Sequence, residues 1–190
     1  MIIVVEGPSA AGKSTWCSAH GSKHVVAETG RIEPPAESSD DGLAGFWNDL
    51  NCRCWAIAAH VETRYGLAVC DTDPLKLHYD YCLARVGAAS WDRFDSGVAL
   101  AAEAISSRTL GIADIVLVNI PDDETLLQRR SSDATRSRRN FDLHRRLGPA
   151  LRDWYDVLGR LDPGRVMWQY PREVPAAIER DRYDAHLFQA

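Results

Sequence analysis

The chain opens with a four-residue apolar run, Ile2-Ile3-Val4-Val5, and similar runs recur between longer stretches of three- and four-residue apolar spacing. Short continuous apolar runs suit strands buried on both faces, as a parallel sheet requires. Lys23 to Glu28 is a second strand candidate, ending on a carboxylate. Leu67-Ala68-Val69-Cys70 is a third and runs into Asp71-Thr72-Asp73-Pro74. Asp114 to Ile120 is the fourth and Arg165 to Tyr170 the fifth. Between them the spacing is helical. Lys13 to about His20 reads as a first helix closed by Gly21. From Leu43, the positions Phe46, Trp47, Leu50, Cys54, Ile57, Ala58 and Val61 predict an amphipathic helix of about five turns. It stops near Tyr65, with Gly66 as its cap. Thr29 to Asp41, with Pro34-Pro35, reads as a loop. Leu75 to Leu110 is helical in composition with a break around Gly87 to Ser90. A helix from about Asp123 leads into an arginine-rich segment and then a second helix, with Leu143, Leu147, Leu151, Trp154 and Leu158 on one face. A last short helix follows Pro171. This alternation predicts an α/β fold, a three-layer αβα sandwich around a five-stranded parallel sheet. Its ligand should lie outside the carboxyl ends of the strands.

Composition narrows this only a little. At 190 residues the chain makes one domain, 1–190, with a core that needs no staples. No apolar run reaches membrane-spanning length and no basic-plus-apolar leader opens the chain, so a cytoplasmic protein without a membrane partner is expected. The net charge of −5 argues against a nucleic-acid polymer held by bulk attraction. The cysteines at 17, 52, 54, 70 and 82 read as reduced, mostly buried thiols, and Cys52-x-Cys54 is a weak metal pattern. Lysine is scarce: only positions 13, 23 and 76 among the 22 basic residues.

The chemistry sits first of all where the opening strand ends. Gly7-Pro8-Ser9-Ala10-Ala11-Gly12-Lys13-Ser14-Thr15 has the Gly-x-x-x-x-Gly-Lys-Ser spacing of a phosphate-binding loop, with a strand before it and a helix after it. Gly7, Ser9, Ala10, Ala11 and Gly12 bring backbone N–H groups onto phosphate oxygens. Lys13 adds a mobile point charge, Ser14 can hold Mg²⁺, and Thr15 continues the helix whose positive end faces the anion. The expected ligands are ATP and Mg²⁺. Asp71, at the end of the third strand, can reach Mg²⁺ directly or through water. Asp73 points to the same side if the chain stays extended, or else forms a turn and caps a helix. Glu28 can take the proton of an acceptor hydroxyl or orient the acceptor.

Arg129, Arg130, Arg136, Arg138, Arg139, Arg145 and Arg146 have only Asp133 and Asp142 among them. Some of these belong to a solvated helix face. As a group, such an excess of like charge fits a lid over about 129–146 that closes on an anion. Arg129 is then assigned to the nucleotide, and Arg136 and Arg138 to transition-state charge. Tyr79, Tyr81, Trp91 and Phe94 follow the third strand, where an acceptor could stack, although core packing accounts for each one singly. Trp47 is read as core.

Taken in order, the loop from Glu6 to Thr15 resembles the opening of the deoxynucleoside kinase and thymidylate kinase group of P-loop kinases. The resemblance implies that Glu28 is the carboxylate ending the second strand and Asp71 the acid ending the third. It implies further that Pro121 to Arg130 leads into the lid, and that about Tyr170 to Val174 flanks the base of ATP. The group's arginine after the third-strand acid is Thr72 here, so the acceptor need not be a nucleoside or nucleotide.

The leading reading is therefore an ATP- and Mg²⁺-dependent kinase whose acceptor is a small molecule, nucleosides and nucleotides first. A kinase of another metabolite or of an antibiotic is second. A regulatory ATPase without an acceptor is the rival from another class, against which the chain lacks the Asn-Lys-x-Asp element of switch GTPases. The oligomeric state stays open, with a homodimer among the options.

Overall fold

The computed structural model describes residues 1–21, 23–28, 32–35, 38–133 and 140–188. The elements run β1 (Ile2–Glu6), α1 (Lys13–Gly21), β2 (Val25–Val26), α2 (Asp40–Tyr65), β3 (Ala68–Asp71), α3 (Leu77–Arg85) and α4 (Trp91–Ser106). They continue with β4 (Ile115–Val118), α5 (Asp123–Ser132), α6 (Phe141–Arg146), α7 (Gly148–Leu161), β5 (Val166–Trp168) and a 3₁₀ turn, Ala185–Phe188. The five strands form one parallel sheet in the order β2-β3-β1-β4-β5.

β1 is the central strand and is wholly buried, because it is bonded on both sides: Ile3 sits opposite Val69 of β3 and Ile115 of β4. Side chains alternate across a strand, so β1 feeds both faces of the sheet. Ile2 and Val4 join the larger core, with Trp55 of α2, Ile105 of α4 and Leu151 and Tyr155 of α7. Ile3 and Val5 join the smaller one, under Trp16 and Cys17 of α1. The expected layers are present. All five cysteines are free thiols, and burial pushes Cys17 and Cys82 up to about 12. No helix among the described residues is long and apolar enough to cross a membrane.

Several boundaries differ from the sequence reading. The second strand shrinks to Val25–Val26 because it pairs only with β3 at the sheet edge, so Glu28 lies two residues beyond it. α2 begins at Asp40 rather than near Leu43. The helix expected around Leu143 to Leu158 is broken at Leu147, where Pro149 in the first turn of α7 starts a new helix. Its apolar face survives the break, since Leu147 and Leu151 are buried and Leu143, Trp154 and Leu158 pack against the same core. No helix follows Pro171 directly; only the 3₁₀ turn near the end forms.

Candidate functional site

The phosphate loop joins the carboxyl end of β1 to the amino end of α1, and its shape demands glycine. Gly7 has φ 152°, and a Cβ there would meet Asn119 O at 2.2 Å and Ala11 Cβ at 2.8 Å. The loop carbonyls are tied back by the protein. Arg129 Nη1 donates to Ala11 O at 2.9 Å and to Ala10 O at 3.3 Å, Asn119 Nδ2 donates to Ala11 O at 3.3 Å, and Lys13 Nζ donates to Gly7 O at 2.8 Å. Of the loop amides expected to meet an anion, that of Gly7 donates to Glu6 Oε2 at 3.1 Å and that of Ala11 to Pro8 O at 3.0 Å. The Tyr170 hydroxyl donates to Glu6 O at 2.8 Å and stands beside Gly7 and Gly12.

Next to the loop lies a buried carboxylate, that of Glu6. Glu6 Oε2 accepts from Gly7 N–H at 3.1 Å and Oε1 from Asp73 N–H at 2.7 Å, with His78 Nε2 3.4 Å from Oε1. Burial pushes this carboxyl upward, but the charges of His78 and Lys13 and the Asp73 N–H outweigh burial and hold it below the usual range. Burial also pushes the His78 imidazole down. Glu6 therefore clamps the phosphate loop to the loop that follows β3.

One cavity of about 2210 Å³ gathers the site, with the phosphate loop on one side and Glu28, Asp71, Lys76, Tyr79 and His144 among its other walls. Gly7, Ser9, Ala10, Ala11, Gly12, Lys13, Ser14, Thr15 and Arg129 all line it. Asp71 Oδ1 is buried and has no hydrogen-bond partner among the described residues. In a cavity that Ser14 also lines, such an oxygen suits a hard cation, and Mg²⁺ bound mainly through phosphates needs only one or two protein oxygens. Among the described residues, no group of three His, Cys, Asp or Glu side chains is placed to hold a metal unaided.

In the same cavity, Lys76 Nζ donates to Glu28 Oε1 at 3.5 Å. The Tyr79 hydroxyl and His144 Nε2 are 3.2 Å apart, joining α3 to α6. Burial, then the charges of Lys13 and Lys76, push His144 down, so it is neutral at pH 7. Phe141, Leu147 and Leu151 supply apolar wall. The cavity thus combines the glycine-rich loop with the carboxylates of Glu28 and Asp71, Lys76 and an apolar wall.

The other sequence candidates fall as follows. Asp73 is neither in the cavity nor a helix cap: it is 5% exposed, and its Oδ1 accepts from Leu75 N–H at 3.0 Å in a tight turn. Arg136, Arg138 and Arg139 lie outside the described residues. Arg130 pairs with Asp142 at 3.4 Å and lies over the Phe141 ring, Arg145 pairs with Asp123 at 2.9 Å, and Arg146 donates to Val86 O at 3.4 Å. These three arginines are thus occupied without any anion. Tyr79 lines the cavity, whereas Tyr81, Trp91 and Phe94 stack among themselves and with Trp154. Glu6, Lys76, His78, Asn119 and His144 were not among the residues singled out for the site. Lys76 carried a signal, as one of only three lysines.

No protein-family model matches the chain, and no curated protein does. Solved structures do match. Deoxyadenosine kinase from M. mycoides, with the products dCMP and a flexible dCDP bound, superimposes with a TM-score of 0.58 at 12% identity, covering 90% of each chain. The same enzyme with bound dATP gives 0.56 at 13% identity, over 88% of this chain and 90% of that one. With bound dCTP it gives 0.52 at 13% identity, over 88% and 89%. The strand order, the loop after β1 and these superpositions agree: the chain has the P-loop fold of the deoxynucleoside kinases.

Proposed function

We propose that this protein is an ATP- and Mg²⁺-dependent kinase that transfers the γ-phosphoryl group of ATP to a nucleoside or nucleotide. The observation that carries the reading is that one cavity is lined by the phosphate loop and also by the carboxylates of Glu28 and Asp71. A hydrolase or switch needs only the loop; a transferase needs a group for the acceptor as well. The neighbours bound to dATP, dCTP and dCMP support this choice of acceptor class.

In this reading N–H groups of the loop other than that of Ala11, which donates to Pro8 O at 3.0 Å, cradle the triphosphate, and Lys13 leaves Gly7 O for the terminal phosphates. Mg²⁺, held by Ser14 and Asp71, would neutralise charge on the phosphate oxygens. Glu28 orients the acceptor hydroxyl and receives its proton as the new O–P bond forms. Arg129, already on the loop, leads a lid over about 129–146, and Arg136 and Arg138 are its transition-state cations.

The test is ATP consumption by purified protein, measured with and without panels of nucleosides, nucleotides, sugars and aminoglycosides. Acceptor-dependent turnover with a nucleoside or nucleotide is expected, and full-rate hydrolysis without any acceptor would sink the kinase reading. Lys13→Ala should lower turnover by about 10²-fold or more while leaving the circular dichroism spectrum unchanged. A fully active Lys13→Ala protein would show that the loop is not the donor site.

A further inference from the structure

The segment between β3 and α3 is strained twice over. Thr72, a β-branched residue, has φ 118°, and Lys76 has φ 52° in the left-handed region. A side chain in left-handed backbone costs about 1–2 kcal/mol, and such strain persists only where its surroundings enforce it. They do so here. Asp73 N–H is bonded to Glu6, Leu75 N–H to Asp73, and Leu75 O accepts from Asn51 Nδ2 at 3.0 Å. Lys76 then starts α3 at its N-cap position without a side-chain cap.

Everything local argues against lysine at this position. Glycine or asparagine would relieve the left-handed backbone, and asparagine, aspartate or serine could cap the helix, worth about 1 kcal/mol. What lysine gains is one ion pair with Glu28, whose side chains are 35% and 54% exposed. Pairs of that exposure are worth at most about 1 kcal/mol, so stability does not account for the residue. Its position in the cavity does. Of the cations lining it among the described residues, Lys13 and Arg129 bond the carbonyls of the phosphate loop, whereas Lys76 bonds the carboxylate of Glu28.

We propose that Lys76 is a catalytic residue, the acceptor-side cation that contacts the phosphoryl group in flight between ATP and the acceptor held at Glu28. The proposal rests on the kinase reading. In the step, the acceptor oxygen bonds to the γ-phosphorus and the bond to the bridging oxygen breaks. ADP leaves with that electron pair, and the hydroxyl proton passes to Glu28. Lys76 exchanges no proton; it neutralises charge on the equatorial oxygens from its place beside Glu28, as Lys13 does from the phosphate loop. A compact ammonium on a flexible stem can follow the group across, which a guanidinium fork does less well.

Two variants test it. Lys76→Met removes the charge, and Lys76→Gly removes it while relieving the backbone. Both should melt at or above the wild-type temperature within experimental error, and both should bind MgADP within about threefold of wild type. Fluoroaluminate, a mimic of the moving phosphoryl, should tighten ADP binding to the wild type by about tenfold or more, read from tryptophan fluorescence. Both variants should lose that tightening and about 10²-fold in kcat on the best acceptor of the panel. Equal tightening in variant and wild type, or none in either, overturns the role of Lys76. Acceptor-independent hydrolysis by the wild type is a separate outcome that removes the kinase reading instead.

Discussion

Asp73 is a carboxyl group pressed between another carboxylate and a phenol. Its Oδ1 accepts from Leu75 N–H, and its Oδ2 lies 3.5 Å from the Tyr155 hydroxyl, while Glu6 accepts from its own N–H. Burial pushes Asp73 up to about 7 against the pull of the Leu75 N–H, and Glu6 adds to the rise. The folded-state value thus lies above the ordinary one of 3.8. Between these two pH values the folded protein holds a proton that the unfolded chain has lost. The group's contribution to stability is therefore full at and below about pH 4 and fades as pH rises through about 7. Asp73→Asn, which keeps the acceptor for Leu75 N–H and never ionises, should match the wild type near pH 4. At pH 8 it should be more stable than the wild type by roughly 1–3 kcal/mol. Urea midpoints at the two pH values check this, and a constant difference between the proteins would show that Asp73 does not titrate with folding.

At the scale of elements, the start of α2 shows what apolar spacing can and cannot deliver. The three- and four-residue pattern begins at Leu43, next to Ala44, the first buried residue of the helix, yet the helix begins at Asp40. The added turn is set by polar chemistry. Ser39 Oγ accepts from Gly42 N–H at 3.1 Å, two acids sit at the positive helix end, and Ser90 and Ser96 of α4 donate to Asp40 and Asp41. A serine followed by two aspartates was the available signal. Ser39→Ala should cost about 1 kcal/mol, hence roughly 2–4 °C in melting temperature, with ATP-dependent turnover unchanged. No shift in melting temperature would mean that the acids hold the turn alone. The same division runs through the site. The phosphate loop was legible because its chemistry is written in contiguous residues. The Glu6 clamp, the Tyr79–His144 bridge and the Lys76–Glu28 pair join positions far apart in sequence, which no spacing rule reaches. Of the two readings of Asp73, the turn holds and the extended one does not, because Thr72 bends the chain with φ 118°; the helix cap is missing.

For the whole molecule, β1 is fixed at both ends, and the two ends serve different purposes. At the carboxyl end Glu6 holds the glycine-rich loop to the β3–α3 loop. At the amino end Ile2 N–H donates to Asp114 Oδ2 at 2.7 Å, and Arg182 grips the same carboxylate through Nε at 2.8 Å and Nη2 at 2.6 Å. Arg182 also donates to Glu62 Oε2 of α2 at 2.6 Å, and its hydrogen bonds hold Glu62 below the usual carboxylate range. The segment carrying Arg182 is held in turn by Arg165, only 1% exposed, whose Nη2 donates to Asp181 O at 2.8 Å. One guanidinium thus neutralises two acids and ties the chain's last described segment to the central strand and the longest helix. Removing it leaves Asp114, 1% exposed, facing a second carboxylate with a single N–H for support. Breaking a buried pair from one side costs about 3–5 kcal/mol, and the partial exposure of Arg182 lowers that to roughly 2–4. Arg182→Ala should accordingly melt roughly 5–15 °C below the wild type. Its affinity for ATP, measured well below that temperature, should be unchanged, because the clasp lies at the end of β1 opposite the phosphate loop. A melting temperature within about 2 °C of wild type would show that water replaces the guanidinium at Asp114. A large loss of ATP affinity in a folded Arg182→Ala protein would show that strain at one end of β1 reaches the loop at the other.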